Sequence, residues 1–345
     1  LNFFKAMLSR TASFFFLGLV AGILLCTLAF VGITRYEGAR GDSRGGLVLR
    51  LAHGLDQNHP VHEGILFFAR RVGELSGGAL TVRVFPNGQL GSEPECVEQL
   101  QRGALAMVKT SSGPMESFVP EMAAFSLPYL FRDEDHYWNV LNGPIGRELL
   151  EAGASVGIRG LCFYDAGARS FYTIGRPILR PEDASGLKLR TQPSKMARDL
   201  ILALGAGPTP IPWGELYTSL QQRMVDGAEN NPPSYLSSRH FEVAKHFSLN
   251  EHTRLPDVII FSQNIWQTLS PEQQAWIEQA AEESVIFQRG LWKEKTEDAL
   301  AGLEAAGVTI HRPDKQPFVE ATAGMAEDFQ GTPVGRLIER IRETP

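Results

Sequence analysis

The sequence predicts an α/β protein of two similar domains joined by a hinge, with a cleft between them. Three observations carry this. Alternating strand and helix patterns run from residue 47 to residue 109, a second such pattern starts near residue 170, and a long helical stretch follows at Pro271 to Ala305. Strand–helix–strand order implies parallel strands with helices on the faces of the sheet. Two such units joined more than once by the chain make a hinged pair, and ligands of these folds gather between domains, at the C-terminal ends of strands.

Each element has its own reason. Leu47–Ala52 (LVLRLA) alternates as a strand does. His62–Glu74 places Ile65, Phe68, Ala69 and Val72 on one helical face, and Gly77-Gly78 ends it. Ala79–Phe85 (ALTVRVF) is a second strand, closed by the turn Pro86-Asn87-Gly88. Glu93–Arg102 is helical and Ala104–Lys109 is a short strand; Gly157–Tyr164 (GIRGLCFY) is another. The second unit begins with strands at Ser170–Ile174 and Leu187–Thr191, then helices over Lys195–Leu204 and Gly214–Met224. Val258–Phe261 (VIIF) reads as a strand buried on both faces. These elements divide the chain into residues 47–166 with 255–295 as a first domain and 167–254 with 296–345 as a second, the long helix spanning both.

Composition narrows the function. Hydrophobic residues make 43% of the chain and charged residues 21%, a balance that supports an ordinary core. The net charge of −6 offers no broad basic surface for nucleic acid. Three cysteines are too few for a disulfide scaffold. Cys96 and Cys162 read as two buried thiols, with a bridge between them as the alternative. His53, His59 and His62 lie close in sequence but come without a placed carboxylate, so no metal is expected. No cofactor motif is present: there is no P-loop, no GxGxxG after a strand and no HExxH. Gly41–Gly45 (GDSRG) has the G-x-S-x-G form of serine hydrolases, but it sits in a linker rather than between a strand and a helix. An enzyme is therefore not expected.

The N-terminal part predicts export. From Thr11 to Thr34 no residue is charged, while Lys5 and Arg10 precede the run. Phe14–Ile33 is long enough to span a bilayer, and its basic flank directs the remainder of the chain outward. A cleaved signal and an uncleaved membrane anchor over residues 1–34 both fit, since the run is long and no small-x-small site comes after it. Cys26 is preceded by Leu24 and Leu25, a poor context for lipid attachment. Residues 35–46 read as a linker.

The candidate site lies where the units meet. Arg190 ends the strand Leu187–Thr191, and Arg169 lies where the first unit hands over to the second. A guanidinium is always charged and its planar fork matches a carboxylate. The structural alternative for each is an ion pair with a nearby Asp or Glu. Pro208–Gly227 (PTPIPWGELYTSLQQRMVDG) stiffens its approach with alternating prolines and sets Trp213 at a helix start, as a wall of the cleft or as core. Asn230 and Asn231 come after a sharp turn at Gly227 and suit either a hydroxylated acid or turn chemistry.

Four strings then point to a family. PTPIPWGELYTSLQQRMVDGAEN, Phe85–Gly91 (FPNGQLG), Phe118–Phe131 (FVPEMAAFSLPYLF) and Gly186–Arg190 (GLKLR) resemble the TRAP-transporter periplasmic solute-binding proteins, and they stand in the order of that family. The resemblance covers roughly residues 48–320. It implies a periplasmic-binding-protein (Venus-flytrap) fold and a receptor that hands a small organic acid to a small and a large membrane subunit. It assigns the ligand carboxylate to Arg190, a supporting role to Arg169, the aromatic wall to Trp213 and a ligand contact to Asn230. Glu93 and Ser111 fall at pocket positions that vary with ligand, and His53 stands just after the first strand. AENNPPSY, with its extra Asn231 and two prolines, resembles subfamilies for sugar acids such as hexuronates. The alternatives are a receptor for C4-dicarboxylates or other carboxylates, or a membrane-anchored sensing module.

Overall fold

The computed structural model describes residues 46–345, and its strands gather into two sheets. The apolar run, Cys26 and the GDSRG segment lie outside the described residues. No helix among the described residues is long and apolar enough to cross a membrane.

The first sheet has the order β2–β1–β3–β10–β4, from β1 (Leu47–Ala52), β2 (Leu80–Phe85), β3 (Met107–Ser111), β4 (Ile158–Tyr164) and β10 (Asp257–Ser262). β1 and β3 are parallel, with Leu51 opposite Met107, as the strand–helix order requires. β10 runs antiparallel to both β3 and β4, so the sheet is mixed rather than all parallel. The chain leaves this sheet along β4 and comes back along β10. Neighbouring strands that carry the chain out and back must oppose each other. The VIIF run is buried on both faces: Val258 and Ile260 join one core, Ile259 and Phe261 the other. Helices α1 (Pro60–Leu75) and α2 (Glu93–Gln101) cover this sheet.

The second sheet has the order β11–β9–β5–β8–β6–β7, from β5 (Arg169–Thr173), β6 (Lys188–Thr191), β7 (Gly207–Pro210), β8 (Gly227–Asn230), β9 (His246–Thr253) and β11 (Thr309–His311). β7 contains Pro208 and Pro210 and is an edge strand, where a missing N–H costs no ladder bond. Gly227 opens β8 rather than making the turn expected of it. A Cβ there would lie 2.4 Å from the Tyr172 carbonyl oxygen, so close strand approach is what demands glycine.

Besides the return of Pro333–Glu343 to the first lobe, three connections join the lobes: Asp165–Ala168, Arg254–Pro256 and the long helix Pro271–Ala305. The helix starts with a capping box, Ser270 and Gln273. Its buried stripe runs Ile277, Ala280, Ala281, Ser284, Gln288, Trp292, Ala299 and Leu303. The early members pack with the first lobe and Leu303 packs with the second, so one rigid element touches both. Gln288 ties it to the first connection: Oε1 accepts from Asp165 N (2.9 Å) and Nε2 donates to Asp165 O (2.8 Å). Gln288→Leu orphans both backbone groups in a buried place. We expect a loss of about 2–5 kcal/mol in chemical denaturation, and an unchanged midpoint would refute this tether.

Three elements depart from expectation. β3 ends at Ser111 rather than Lys109. The helix expected over Gly214–Met224 is a 3-10 turn at Trp213–Glu215 followed by Leu216–Gln221, after which Arg223 takes a positive φ of 55° and ends it. The C-terminal helix Pro333–Glu343, placed by the sequence with the second domain, packs on the Pro120–Ser126 turn of the first lobe. Arg132 donates to the carbonyls of Arg342 (3.1 Å) and Thr344 (2.7 Å), and His136 Nε2 lies 2.8 Å from Ile341 O. Cys96 and Cys162 are both buried free thiols.

Candidate functional site: a cleft between the two sheets

The ends of β3 and β10 in the first lobe face those of β5, β6 and β8 in the second across a cleft holding about 590 Å³ of free space, part of it open to solvent. Arg190, Arg169, Asn230, Asn231, Trp213, Glu93 and Ser111 all line it. His53 does not. It is buried among the first-lobe core, where Nδ1 accepts from Leu55 N (3.2 Å) and Nε2 donates to His62 Nδ1 (2.9 Å).

The two arginines differ in kind. Arg169 opens β5 next to β8, and this register brings it to Glu229 and Asn230. Its Nε donates to the Glu229 carboxylate, Nη2 donates to Glu229 Oε1 and O (2.8 Å each), and Nη1 donates to Asn230 Oδ1 (2.8 Å). Burial opposes the charge on Glu229, but Arg169 and His252 outweigh it and hold that carboxyl at about 2. Arg169 is thus the ion-paired arginine that the structural alternative described.

Arg190 has no such partner among the described residues. It is 2% exposed, and its Nε donates to Ile211 O (2.8 Å). Nη1 is buried without a hydrogen-bond partner among the described residues. The prolines explain its aim: the edge strand β7 hands the chain to Ile211–Pro212, which crosses the end of β6 and presents the carbonyl that orients the guanidinium. The Trp213 ring lies 5.8 Å from Arg190 Cζ and flanks it. Burial pulls the Arg190 pKa below its ordinary value, though Tyr172 and Glu229 act the other way. A buried cation with free donors is costly unless an anion meets it.

The asparagines also divide. Asn230 Oδ1 is taken by Arg169 and by Asn231 N (2.9 Å), leaving its amide nitrogen beside the cleft. Asn231 is a cap: Oδ1 accepts from Ser234 N (2.8 Å) and Nδ2 donates to Ala166 O (2.8 Å), one of the lobe connections. The turn-chemistry alternative describes Asn231.

At the opposite end stands a group that sequence reading missed. Lys109 on β3 is 3% exposed. Its Nζ lies 2.9 Å from Asp257 Oδ2 and 3.5 Å from Glu93 Oε1. Asp257 faces Ser111 across β3 and β10, so strand pairing sets the acid beside the lysine. Burial pushes the Asp257 pKa up to about 6, against the pull of Lys109. The signal in the sequence was a lone lysine inside MVKTS, a buried strand that needs a partner for any charge it carries.

The cleft is therefore dipolar. One end sets two guanidiniums against one carboxylate; the other sets one ammonium against two. Polar contacts bridge the lobes at the cleft, among them His59 Nε2 donating to Ser234 Oγ (3.0 Å) and Glu116 Oε2 accepting from Ser194 Oγ (3.0 Å). Among the described residues no group of three or more His, Cys, Asp or Glu side chains is placed to hold a metal ion.

Comparison with known proteins identifies the family. The profile of the bacterial extracellular solute-binding protein family 7 (DctP) matches residues 51–331. The uncharacterized protein YiiZ of Salmonella typhimurium is 38% identical over 323 residues, 93% of this chain and 97% of that one. A TRAP periplasmic solute-binding protein of Bradyrhizobium sp. BTAi1, solved with α/β-D-galacturonate, is 45% identical with a TM-score of 0.84, covering 86% of this chain and 100% of its own. A TRAP periplasmic solute-binding protein of Roseobacter denitrificans, solved with β-D-glucuronate, is 37% identical with a TM-score of 0.84, covering 87% and 100%. The shared architecture is the two-domain binding-protein fold, and the family is one of solute receptors rather than enzymes. The chain belongs to the bacterial extracellular solute-binding protein family 7.

Proposed function

We propose that the protein is the extracytoplasmic receptor of a TRAP transporter and that it captures a hexuronate. The observation that carries the reading is the buried, carboxylate-free Arg190 with unused donors facing the cleft. A ligand carboxylate supplies the anion that this cation lacks. Trp213 walls the carbon skeleton, and Asn230 and the remaining Arg169 Nη1 donor reach its oxygens. Similarity to proteins solved with galacturonate and glucuronate supports a six-carbon sugar acid.

Closure rests on the same geometry. Opening the lobes breaks His59–Ser234 and Glu116–Ser194 and lets water reach Arg190. The ligand favours the closed state only by as much as it binds that state better. Its carboxylate does so because exclusion of water strengthens the ion pair. The closed receptor then delivers its cargo to the small and large membrane subunits. We place it outside the inner membrane, and the basic-flanked run Phe14–Ile33 is long enough to tether it there.

The test is a thermal shift of the purified full chain with D-galacturonate, D-glucuronate, galactose and glucose. An acid at 100 times its Kd should add about 2.7 kcal/mol, and the neutral sugars nothing. No shift with either acid, together with no small acid released on denaturation, would overturn the reading.

A further inference from the structure

We propose that Glu93, Lys109 and Asp257 form a subsite that reads the uncharged, hydroxyl-bearing end of the ligand and shuts out a second carboxylate. The inference rests on the reading of Arg190 as the carboxylate anchor and deepens it. Its basis is what these three groups have left to offer.

Lys109 has three N–H bonds. Asp257 and Glu93 engage two of them, at 2.9 and 3.5 Å, and the ammonium lines the cleft with the third. Each carboxylate keeps lone pairs that its share in the lysine does not use. A hydroxyl both donates and accepts, so it satisfies an ammonium and a carboxylate together. A carboxylate only accepts, and here it meets two of its own kind.

Charge makes the discrimination strong. With two carboxylates on one ammonium, this end carries a net negative charge before any ligand arrives. Asp257 already shows the strain, held up to about 6 by burial, with Glu93 adding its repulsion. At the other end Arg190 needs one carboxylate and Arg169 already has Glu229. A monoanion with hydroxyls at its far end matches both ends; a dianion matches one. Lys109 holds the two acids toward the cleft and offers its remaining N–H to the same hydroxyl. A purely structural ion cluster would alter stability when changed but would leave the ratio between monoacid and diacid binding untouched.

The experiment measures Kd of the full chain for D-galacturonate, galactarate and succinate by calorimetry and competition, in the parent protein and in Glu93→Gln. Glu93 is partly exposed at the start of α2, so this exchange keeps the fold; Asp257→Asn is the second variant. We expect both diacids to bind the parent at least ~100-fold more weakly than galacturonate, since like-charge juxtaposition costs several kcal/mol. In Glu93→Gln, galacturonate weakens while the gap to galactarate narrows by about tenfold or more. A diacid within tenfold of galacturonate in the parent overturns the inference and leaves the receptor reading standing, as does an unchanged ratio in both variants. Binding of none of the three by folded protein overturns the hexuronate reading, and this inference falls with it.

Discussion

Arg190→Met should abolish ligand binding while leaving the protein as stable as before, or more so. Two charge-assisted hydrogen bonds from one guanidinium contribute roughly 1.5–3 kcal/mol each. Their loss corresponds to a Kd weakened by roughly 100- to 10,000-fold. The stability side has the opposite sign. Arg190 is 2% exposed with no carboxylate partner among the described residues, so the apo protein carries its desolvation cost uncompensated. A methionine of similar length removes that cost and packs against Trp213. Arg169→Met is the contrast, because it strands Glu229 in the interior. Breaking one side of a buried pair costs about 3–5 kcal/mol. The two exchanges together separate an arginine kept for the ligand from one kept for the frame. Calorimetric Kd and a urea midpoint for each variant decide it. Near-parental affinity in Arg190→Met would sink the anchor assignment, and an unchanged midpoint in Arg169→Met would sink the structural one.

The sequence showed most of the frame and part of the site, and the division has a physical cause. β1, α1, β2 and α2 were legible because each buries one face against a core, so polarity alternates with the local period. Two strands of the second lobe break this rule. β8 is Gly-Ala-Glu-Asn and β9 is His-Phe-Ser-Leu-Asn-Glu-His-Thr, both largely buried and both full of polar side chains. Glu229 sits there for Arg169, and Asn230 for Arg169 and the cleft. A strand that must present hydrogen-bonding groups inward does not look like a strand. The same conflict hid the end of β3, where Lys109 read as the exit from the sheet but is an interior ion partner. Arg190 and Arg169 were found because topology puts strand ends at the crevice, and the resemblance gave them roles. Which arginine was already paired was invisible, since that depends on β5 lying beside β8. The return of Pro333–Glu343 to the first lobe was equally hidden, because no local period encodes a partner so distant along the chain.

Acid should unfold this protein sooner than its carboxylates alone would require, because of its histidines. His53 and His240 are each 2% exposed and are held down to about 3, the first by burial with Lys109 and His62 nearby, the second by burial with Arg190 nearby. His59 and His252 are lowered as well, burial again leading. The unfolded chain takes up these protons near pH 6.5 while the native state refuses them. Their contribution is therefore complete above pH 6.5 and is lost as pH falls from there toward 3. At pH 5, His53 and His240 together cost about 4 kcal/mol, from about 1.4 kcal/mol per pH unit per group. Asp257 works the other way. Its raised pKa lets the native state bind a proton first, which returns about 1 kcal/mol at pH 5. Glu229, held at about 2, adds to the acid loss only below the ordinary carboxylate range. The histidines win, so stability should fall by about 3 kcal/mol between pH 7 and pH 5 and more steeply below pH 4. Urea midpoints at pH 7, 6 and 5 check this, and His53→Gln should recover about 2 kcal/mol of the loss. A midpoint that does not move between pH 7 and pH 5 would mean that these rings are protonated in the folded state. The uncharged tautomers that join His53 to His62 and His59 to Ser234 would then be wrong.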